Sequence, residues 1–483
     1  MNLLVLIDQS EFLPHVSYVF RVLSSIYQCK LKVLCHDART EADLGEAQVV
    51  ISYGDSMPDI QERPHLHIRK SHLFGEHYLH RASLPRRPLA ICEGVPMIYL
   101  AEGSEACTEF SGQRAETSID VVASAFFMLT RYEEQFVTET ERDPWGSASP
   151  RAQLACKEGC HKRPIVNEYF ALVQKWLAQL GVNLNLREHW APADMALCLT
   201  HDVDRIRRFR FLPPVRGMLR AWRRPGGRIQ AGRMLQDFVL TRIGLQRDPD
   251  RISFERILEI AEQNEMRGTV FILADGSRYS IDALLLAEWV RRAARSGFEL
   301  GLHGGFSTST DEEKLRQQKT RLEQALQTGE IVSNRQHYLS ARYPETWRNL
   351  QAAGIRYDSS AGYRHSVGFR CGICHPFHPF DVQEGRVLDI LEIPLIAMDT
   401  SMFGHAEFST SEAMLELENL IEQTRRFHGV LTVLWHHNSL YRDEFPTIAD
   451  VYERFVGNIR QQASSYTLRE LAERWNDADA CTW

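Results

Sequence analysis

The sequence predicts an α/β protein in two parts, the second built on a largely parallel sheet or barrel. Three observations carry this. From Met195 onward, short apolar runs alternate with helical patterns; glycines recur where those helices end; and polar side chains gather where the apolar runs end. The region around Pro192 reads as the junction, which divides the chain into a smaller α/β domain over 1-190 and a larger one over 195-483.

In the first part, Leu3 to Ile7 reads as a buried strand, followed by a helical pattern through Phe20, Val22 and Leu23. Val49 to Gly54 reads as a second strand, and Pro88 to Cys92 as a third. Ile119 to Tyr132 patterns as an amphipathic helix with Val122, Ala125, Phe126, Leu129 and Tyr132 on one face. Thr138 to Pro150 reads as a loop, and Val166 to Leu180 as a helix stopped at Gly181.

In the second part, Met195 to Thr200 is a strand. Ser253 is placed as the cap of a helix ending at Gly268, and Thr269 to Leu273 as the next strand. A helix through Leu285, Trp289 and Ala293 ends at Gly297, before the strand Phe298 to Leu302. Asp311 to Leu326 reads as a charged helix, and Tyr343 to Ala353 as a helix leading into Ile355 to Tyr357. Ser411 to Phe427 is helical and leads into the strand Val430 to Trp435.

Composition excludes several classes. Apolar residues at 44% and charged residues at 25% describe an ordinary globular chain, and a net charge of -7 gives no electrostatic reason to expect nucleic acid. The start, Met1 to Asp8, has no basic region and only a short apolar run, so no secretory signal is read and a cytoplasmic location is the expectation. The ten cysteines are scattered rather than framed as a disulfide scaffold. Cys371-Gly372-Ile373-Cys374-His375 matches a short haem-attachment pattern, and Cys156, Cys160 and His161 offer a weak zinc pattern with it; plain reduced thiols are the reading taken.

A basic insertion over 205-250 interrupts the rhythm. Arg205 to Arg233 has many arginines and no acidic residue, with Leu212, Pro213, Val215, Met218, Leu219 and Trp222 interleaved. Two readings stay open: contact with a membrane surface or a phosphate-bearing substrate, and a solvated excursion, which is the commoner fate of a charge run.

The strand ends carry the chemistry. Thr200-His201-Asp202-Val203-Asp204 places two carboxylates on one side of an extended chain, where a cation relieves their repulsion. Leu302-His303-Gly304-Gly305 sets a histidine beside small residues that leave room for a ligand. Arg335 and His337 follow in Asn334 to Leu339, and Trp435-His436-His437 closes a later strand. Neighbouring strand residues face opposite ways, which makes His436 the acid rather than His437.

This series resembles the polysaccharide deacetylase (NodB-homology) superfamily, carbohydrate esterase family 4, over about Leu197 to Ser439. Val121 to Tyr132, with Arg131-Tyr132-Glu133-Glu134, resembles the uncharacterised N-terminal domain of large bacterial deacetylase-like proteins, and Tyr357-Asp358-Ser359-Ser360 resembles a further family segment. The resemblance implies a distorted (β/α) barrel, a divalent metal such as Zn2+, and an acetylated carbohydrate substrate. It implies Asp202 as general base, Arg335 orienting that base, Asp204 and His303 as metal ligands, and His436 as general acid. One position departs: the histidine expected four residues after His303 is Ser307. His337, beside Arg335, is the candidate replacement ligand; its alternative is a hydrogen-bonded wall residue. His375 is either a pocket residue or an ordinary loop histidine.

The function expected is removal of acetyl groups from an N- or O-acetylated sugar, a glycan intermediate of envelope polysaccharide metabolism. The alternative is a catalytically silent sugar-binding or scaffold protein, which Ser307 favours and Asp202, Arg335 and His436 oppose.

Overall fold

The computed structural model describes residues 1–60, 63–209, 215–222, 227–276, 284–327 and 329–479. The first part contributes β1 Asn2–Ile7, β2 Lys30–Cys35, β3 Val49–Gly54, β4 His65–Arg69, β5 Ala90–Cys92, β6 Val95–Met97, β7 Thr108–Ser111 and β8 Arg114–Thr117. Six of these form one sheet in the order β2-β1-β3-β4-β8-β7. The expected third strand at Pro88 to Cys92 shrinks to β5, which pairs only with β6 in a separate hairpin. The position beside β3 belongs to β4, a strand not read from the sequence, which carries His65 and His67. Both imidazoles are buried and bonded to Ser52 Oγ, at 2.7 and 2.8 Å.

The helix expected over Ile119 to Tyr132 runs Val121–Leu129, with Asp120 as its cap. It has no wet face: all nine residues are buried. It packs on both the Leu13–Ile26 and the Ile165–Gln179 helices, so an amphipathic pattern was the wrong template.

The second sheet contains β9 Ala196–Val203, β10 Gly268–Leu273, β11 Glu299–Gly304, β12 Ser333–Gln336 and β13 Tyr357–Asp358. A hairpin of β14 Phe380–Asp381 and β15 Arg386–Val387 follows. Then come β16 Leu391–Glu392, β17 Ala397–Met398, β18 Val430–Leu434 and β19 Ser464–Ser465. The order is β16-β13-β12-β11-β10-β9-β18-β17, parallel throughout, with β19 beside β9. The outermost strands, β16 and β17, are separated in sequence only by Ile393 to Ile396. That link bonds to both flanks, Ile393 N–H to Asp358 O at 2.8 Å and Ile396 N–H to Thr432 O at 3.0 Å. The sheet is therefore curled, its two margins joined by the chain itself.

Most helix expectations hold to within a few residues. One start is corrected: the helix assigned to a Ser253 cap begins at Pro249, capped by Asp248, whose carboxylate accepts from Asp250 N–H. Asp followed by Pro at the first helical position is the stronger start signal. The basic insertion folds into helices Val215–Trp222 and Gly227–Arg242; Leu212 and Pro213 lie outside the described residues.

One contiguous buried apolar cluster runs from Leu3 to Trp475 and includes side chains of both sheets. A buried ionic knot reinforces it. Arg131 Nε donates to Glu134 and Nη2 to Glu133, each at 3.0 Å, while Arg370 Nη2 reaches the same Glu134 at 2.9 Å. The segment carrying Arg370 lies directly on the first part of the chain: Phe369 N–H donates to His161 O at 2.8 Å and Val166 N–H to Gly372 O at 2.7 Å.

Gly368 permits this approach. Its φ is +133°, and a Cβ there would sit 2.3 Å from the His161 carbonyl oxygen, a backbone atom that cannot swing aside. Gly368→Ala is expected to destabilise the protein by about 3 kcal/mol or more, read as a lower urea midpoint at unchanged slope. A midpoint within error of wild type would mean the two segments separate without cost.

Candidate active site

The ends of β9, β11, β12 and β18 converge on one cavity of about 770 Å³, whose wall includes Asp202, Asp204, His303, His337, Asp399 and His436. Strand register explains the convergence. His303 pairs with Leu273 on one side and Arg335 on the other, and Asp202 pairs with Phe271. The apolar β10 thus acts as a spacer between the carboxylate strand and the histidine strand.

Among the described residues, Asp204, His303 and His337 form a group whose donor atoms all lie within 4.8 Å of one another. His303 Nε2 is 3.3 Å from Asp204 Oδ1 and 3.7 Å from Asp202 Oδ2, and His337 Nε2 is 3.6 Å from Asp204 Oδ1. His303 Nδ1 lies 2.9 Å from the Arg335 carbonyl. A carbonyl only accepts, so Nδ1 carries a proton and Nε2 is the atom presented to the carboxylates. Burial opposes charge on His303, yet Asp202 and Asp204 outweigh it and raise its pKa. Burial likewise opposes charge on Asp204, and His303 overcomes this to hold the carboxyl well below its ordinary range. A carboxylate and two imidazoles with converging donors, one fixed through its far nitrogen, fit a zinc-like divalent ion.

His337 is held by an unusual local path. Tyr338 and Leu339, which follow it, both occupy the left-handed region at φ 62° and 50°. Non-glycine residues store strain of about 1–3 kcal/mol there, a cost that persists where surrounding structure fixes a side chain for use. Tyr338 also stacks on His337, with ring centroids 3.9 Å apart. Ser307, by contrast, is exposed in the turn after β11.

Arg335 is fully buried. Its Nη2 donates to Ser359 Oγ at 2.9 Å, and its guanidinium lies 4.9 Å from the Phe271 ring centroid. Nε and Nη1 make no hydrogen bond, and Asp202 Oδ1 accepts none. Arg335 and Asp202 form no direct ion pair; the charges act through the intervening space. Burial lowers the Arg335 pKa, and Asp202 is the largest opposing charge. The segment resembling a family motif secures this arrangement: Asp358 Oδ1 accepts from Asn334 Nδ2 and Ser360 Oγ, both at 2.8 Å, and Gln336 N–H donates to Ser360 Oγ at 2.8 Å.

His436 follows β18, and Asp399 follows β17, the neighbouring strand. His436 Nδ1 is 2.7 Å from Asp399 Oδ1, and its backbone N–H donates to Oδ2 at 2.9 Å. Ser439 Oγ donates to the same carboxylate. Burial disfavours the imidazolium, but Asp399, then Asp204 and Asp202, raise the His436 pKa to about 10. His437 turns away: its Nδ1 bonds to Asp202 O at 2.9 Å, and its ring packs on Trp289.

Sequence reasoning missed Asp399, Trp145 and Arg364. Asp399 ends the apolar run Leu395 to Met398, the same strand-then-carboxylate signal used at Asp202. Trp145 comes from the segment read as a loop. Arg364 lies over its ring at 3.9 Å, and Tyr338 is 5.3 Å away. The remaining sequence candidates leave the site. Cys371, Cys374 and His375 are buried away from the cleft, with His375 Nδ1 2.9 Å from Asn167 Nδ2. Burial lowers His375 to about 3 and pushes Cys371 up to about 12, the signature of neutral core groups. Both cysteines of the haem-like pattern are free and buried.

Residues 3–181 match a family model described as a family of unknown function (DUF7033). No curated protein matches the chain. Among solved structures, the chain is similar to a candidate polysaccharide deacetylase from Mycobacterium smegmatis, with 19% identity, TM-score 0.41, and 60% of this chain and 92% of that one covered. It is also similar to the peptidoglycan deacetylase PdaC from Bacillus subtilis, at 12% identity, TM-score 0.30, and 59% and 94% coverage. A third is a pseudoenzyme of carbohydrate esterase family 4 from Bacillus anthracis, at 12% identity, TM-score 0.29, and 58% and 66% coverage.

Proposed function

We propose that this protein is a metal-dependent hydrolase that removes acetyl groups from an N- or O-acetylated sugar. The observation that carries this is the convergence of Asp202, Asp204, His303, His337 and His436 on one cleft, with Arg335 buried behind them. Asp204, His303 and His337 would hold the ion. When bound, a zinc-like ion acidifies water and polarises an acyl carbonyl. Asp202 takes the proton of the attacking water through a carboxylate whose Oδ1 makes no hydrogen bond. Arg335, buried behind it, supplies the nearest fixed positive charge of the strand ends. His436, charged and steered by Asp399, presents Nε2 to protonate the leaving nitrogen or oxygen.

The test is acetate release from N- and O-acetylated oligosaccharides by protein reconstituted with Zn2+ and by chelator-stripped protein. Release only in the presence of metal supports the reading. Sugar binding without release from any acetylated substrate would establish the silent alternative, which Ser307 favours.

The site's place in the cell is the second half of the proposal: a cytoplasmic enzyme acting on a lipid- or nucleotide-linked glycan intermediate of envelope polysaccharide synthesis. Among the described residues, no helix is long and apolar enough to cross a membrane. The helical hairpin supports a surface contact instead. Val215, Leu219 and Trp222 are exposed at i, i+4 and i+7, while Met218 packs inward on Ala231 and Met234. Leu235 and Val239 of the second helix are also exposed, and Arg228 lies over the Trp222 ring, 5.7 Å from its centroid. Apolar side chains interleaved with cations suit an anionic bilayer. The wild type is expected to sediment with phosphatidylglycerol vesicles, and the pair Leu219→Glu and Trp222→Glu to weaken this by roughly tenfold or more. Failure of wild type to bind such vesicles ends the membrane reading and leaves the chemistry untouched.

A further inference from the structure

Arg364 lies between two cavities. With Leu339 it lines both the cleft above and an adjoining space of about 350 Å³. Its side chain is only 10% exposed, yet its hydrogen bonding is incomplete. Nε sits 3.4 Å from Asp143 Oδ2, and neither Nε nor Nη2 makes a hydrogen bond. The guanidinium is clamped over Trp145, 3.9 Å from the ring centroid, and lies 5.2 Å from that of Tyr338. Buried guanidinium N–H groups left without an acceptor are costly, so such groups are completed by water or ligand.

The clamp is built, not incidental. Asp143 Oδ1 accepts from Trp145 N–H at 2.9 Å and Ser147 N–H at 3.0 Å, which forms the turn that presents the indole. Ser147 Oγ donates to Leu339 O at 2.8 Å, and Ser340 Oγ donates to Trp145 O at 2.6 Å. The turn is thereby tied to the chain just past His337. From the metal group outward, the order is His337, Tyr338, then the Trp145–Arg364 pair.

Resting on the deacetylase reading, we infer that Arg364 is an anion-recognising subsite, and that the substrate sugar carries a carboxylate close to its acetyl group. Asp143 flanks Nε, while the buried Nη2 has no acceptor, so the Nη end is what remains for a ligand to complete. A planar carboxylate matches that two-nitrogen edge. A doubly charged phosphate is disfavoured there, because Asp143 sits beside the guanidinium and repels it. Trp145 and Tyr338 provide flat apolar surface for the sugar ring that bears the carboxylate.

The experiment compares acetate release from an acetylated hexuronic-acid oligosaccharide with release from the same oligosaccharide after its carboxylates are reduced to hydroxymethyl groups. Wild type is expected to favour the acidic form in kcat/KM by about tenfold or more, the scale of a charged hydrogen bond. Arg364→Gln is expected to collapse that ratio to about twofold or less, and Arg364→Lys, which keeps charge but loses the fork, to leave an intermediate ratio. Equal rates in wild type would overturn the subsite, as would a preference that survives Arg364→Gln. So would better turnover of a phosphorylated neutral sugar. If Arg364→Gln does not fold, the wild-type ratio and the lysine variant decide. Calorimetric titration with the deacetylated acidic oligosaccharide separates the two proposals. Binding that weakens about tenfold in the Arg364 variants, without acetate release by wild type from any substrate, keeps the subsite and rejects the deacetylase.

Discussion

Replacing His303 by alanine is expected to abolish stoichiometric zinc binding and to cut acetate release by on the order of a thousandfold or more, the scale of several kcal/mol of lost Lewis-acid stabilisation. The geometry makes His303 the pivot. Its Nε2 is the atom nearest Asp204 and also approaches Asp202, at 3.3 and 3.7 Å. Without it, the two carboxylates lose their nearest imidazole and are left to His337, His436 and the field of Arg335, and the Arg335 carbonyl loses the Nδ1 donor. The measurement is metal content after dialysis against a defined zinc buffer, wild type beside His303→Ala, Asp204→Ala and His337→Ala. If the three residues share one ion, all three variants lose it, and zinc no longer raises their melting temperatures as it raises that of wild type. A His337→Ala protein that retains one equivalent would make His337 a wall residue, and the site a two-ligand one.

How much of this was legible in the sequence follows from how each residue is held. Asp202, Asp204, His303 and His436 sit at or just past ends of strands with clean apolar runs, so periodicity located them; Arg335 lies in the polar strand Ser333–Gln336 and was legible only through the family resemblance. His337 was legible as a neighbour of Arg335, but whether it points into the cleft depends on the left-handed turn at Tyr338 and Leu339, and no local propensity predicts a turn that disfavours its own residues. Asp399 was hidden because β17 has only two residues and no alternation to read. Trp145 and Arg364 were hidden because they meet across 219 positions of chain (364 minus 145), and the turn that presents the indole depends on bonds to Leu339 and Ser340. The Val121–Leu129 helix misled in the other direction. Its apolar face was visible, but burial on all sides is a property of its two helical neighbours, not of its own pattern.

Asp399→Asn is expected to move the alkaline limb of kcat/KM toward lower pH and to lower the rate at pH 8.5 by roughly tenfold to a hundredfold. His436 must carry a proton to assist the leaving group. Burial works against that charge, and Asp399, then Asp204 and Asp202, hold the pKa at about 10. The wild-type acid therefore stays charged across neutral pH. Asparagine keeps the shape but removes the nearest negative charge, so the pKa falls back toward the ordinary histidine value of about 6.5, and the limb falls with it. His436→Ala should instead lose about 10²–10⁴ in rate. Stability gives an independent reading with a definite sign. A histidine whose folded pKa lies above its unfolded value contributes stability that is fully present below about pH 6.5 and is lost as pH rises toward 10. The melting-temperature gap between wild type and Asp399→Asn should thus be widest in mild acid and narrow steadily through alkaline pH. A residual gap at the highest pH is expected, because the carboxylate also accepts from Ser439 Oγ and the Thr400 backbone N–H. A limb that stays in place in Asp399→Asn, or a gap that widens with pH, would show that the Asp399–His436 pair does not set the charge of the acid.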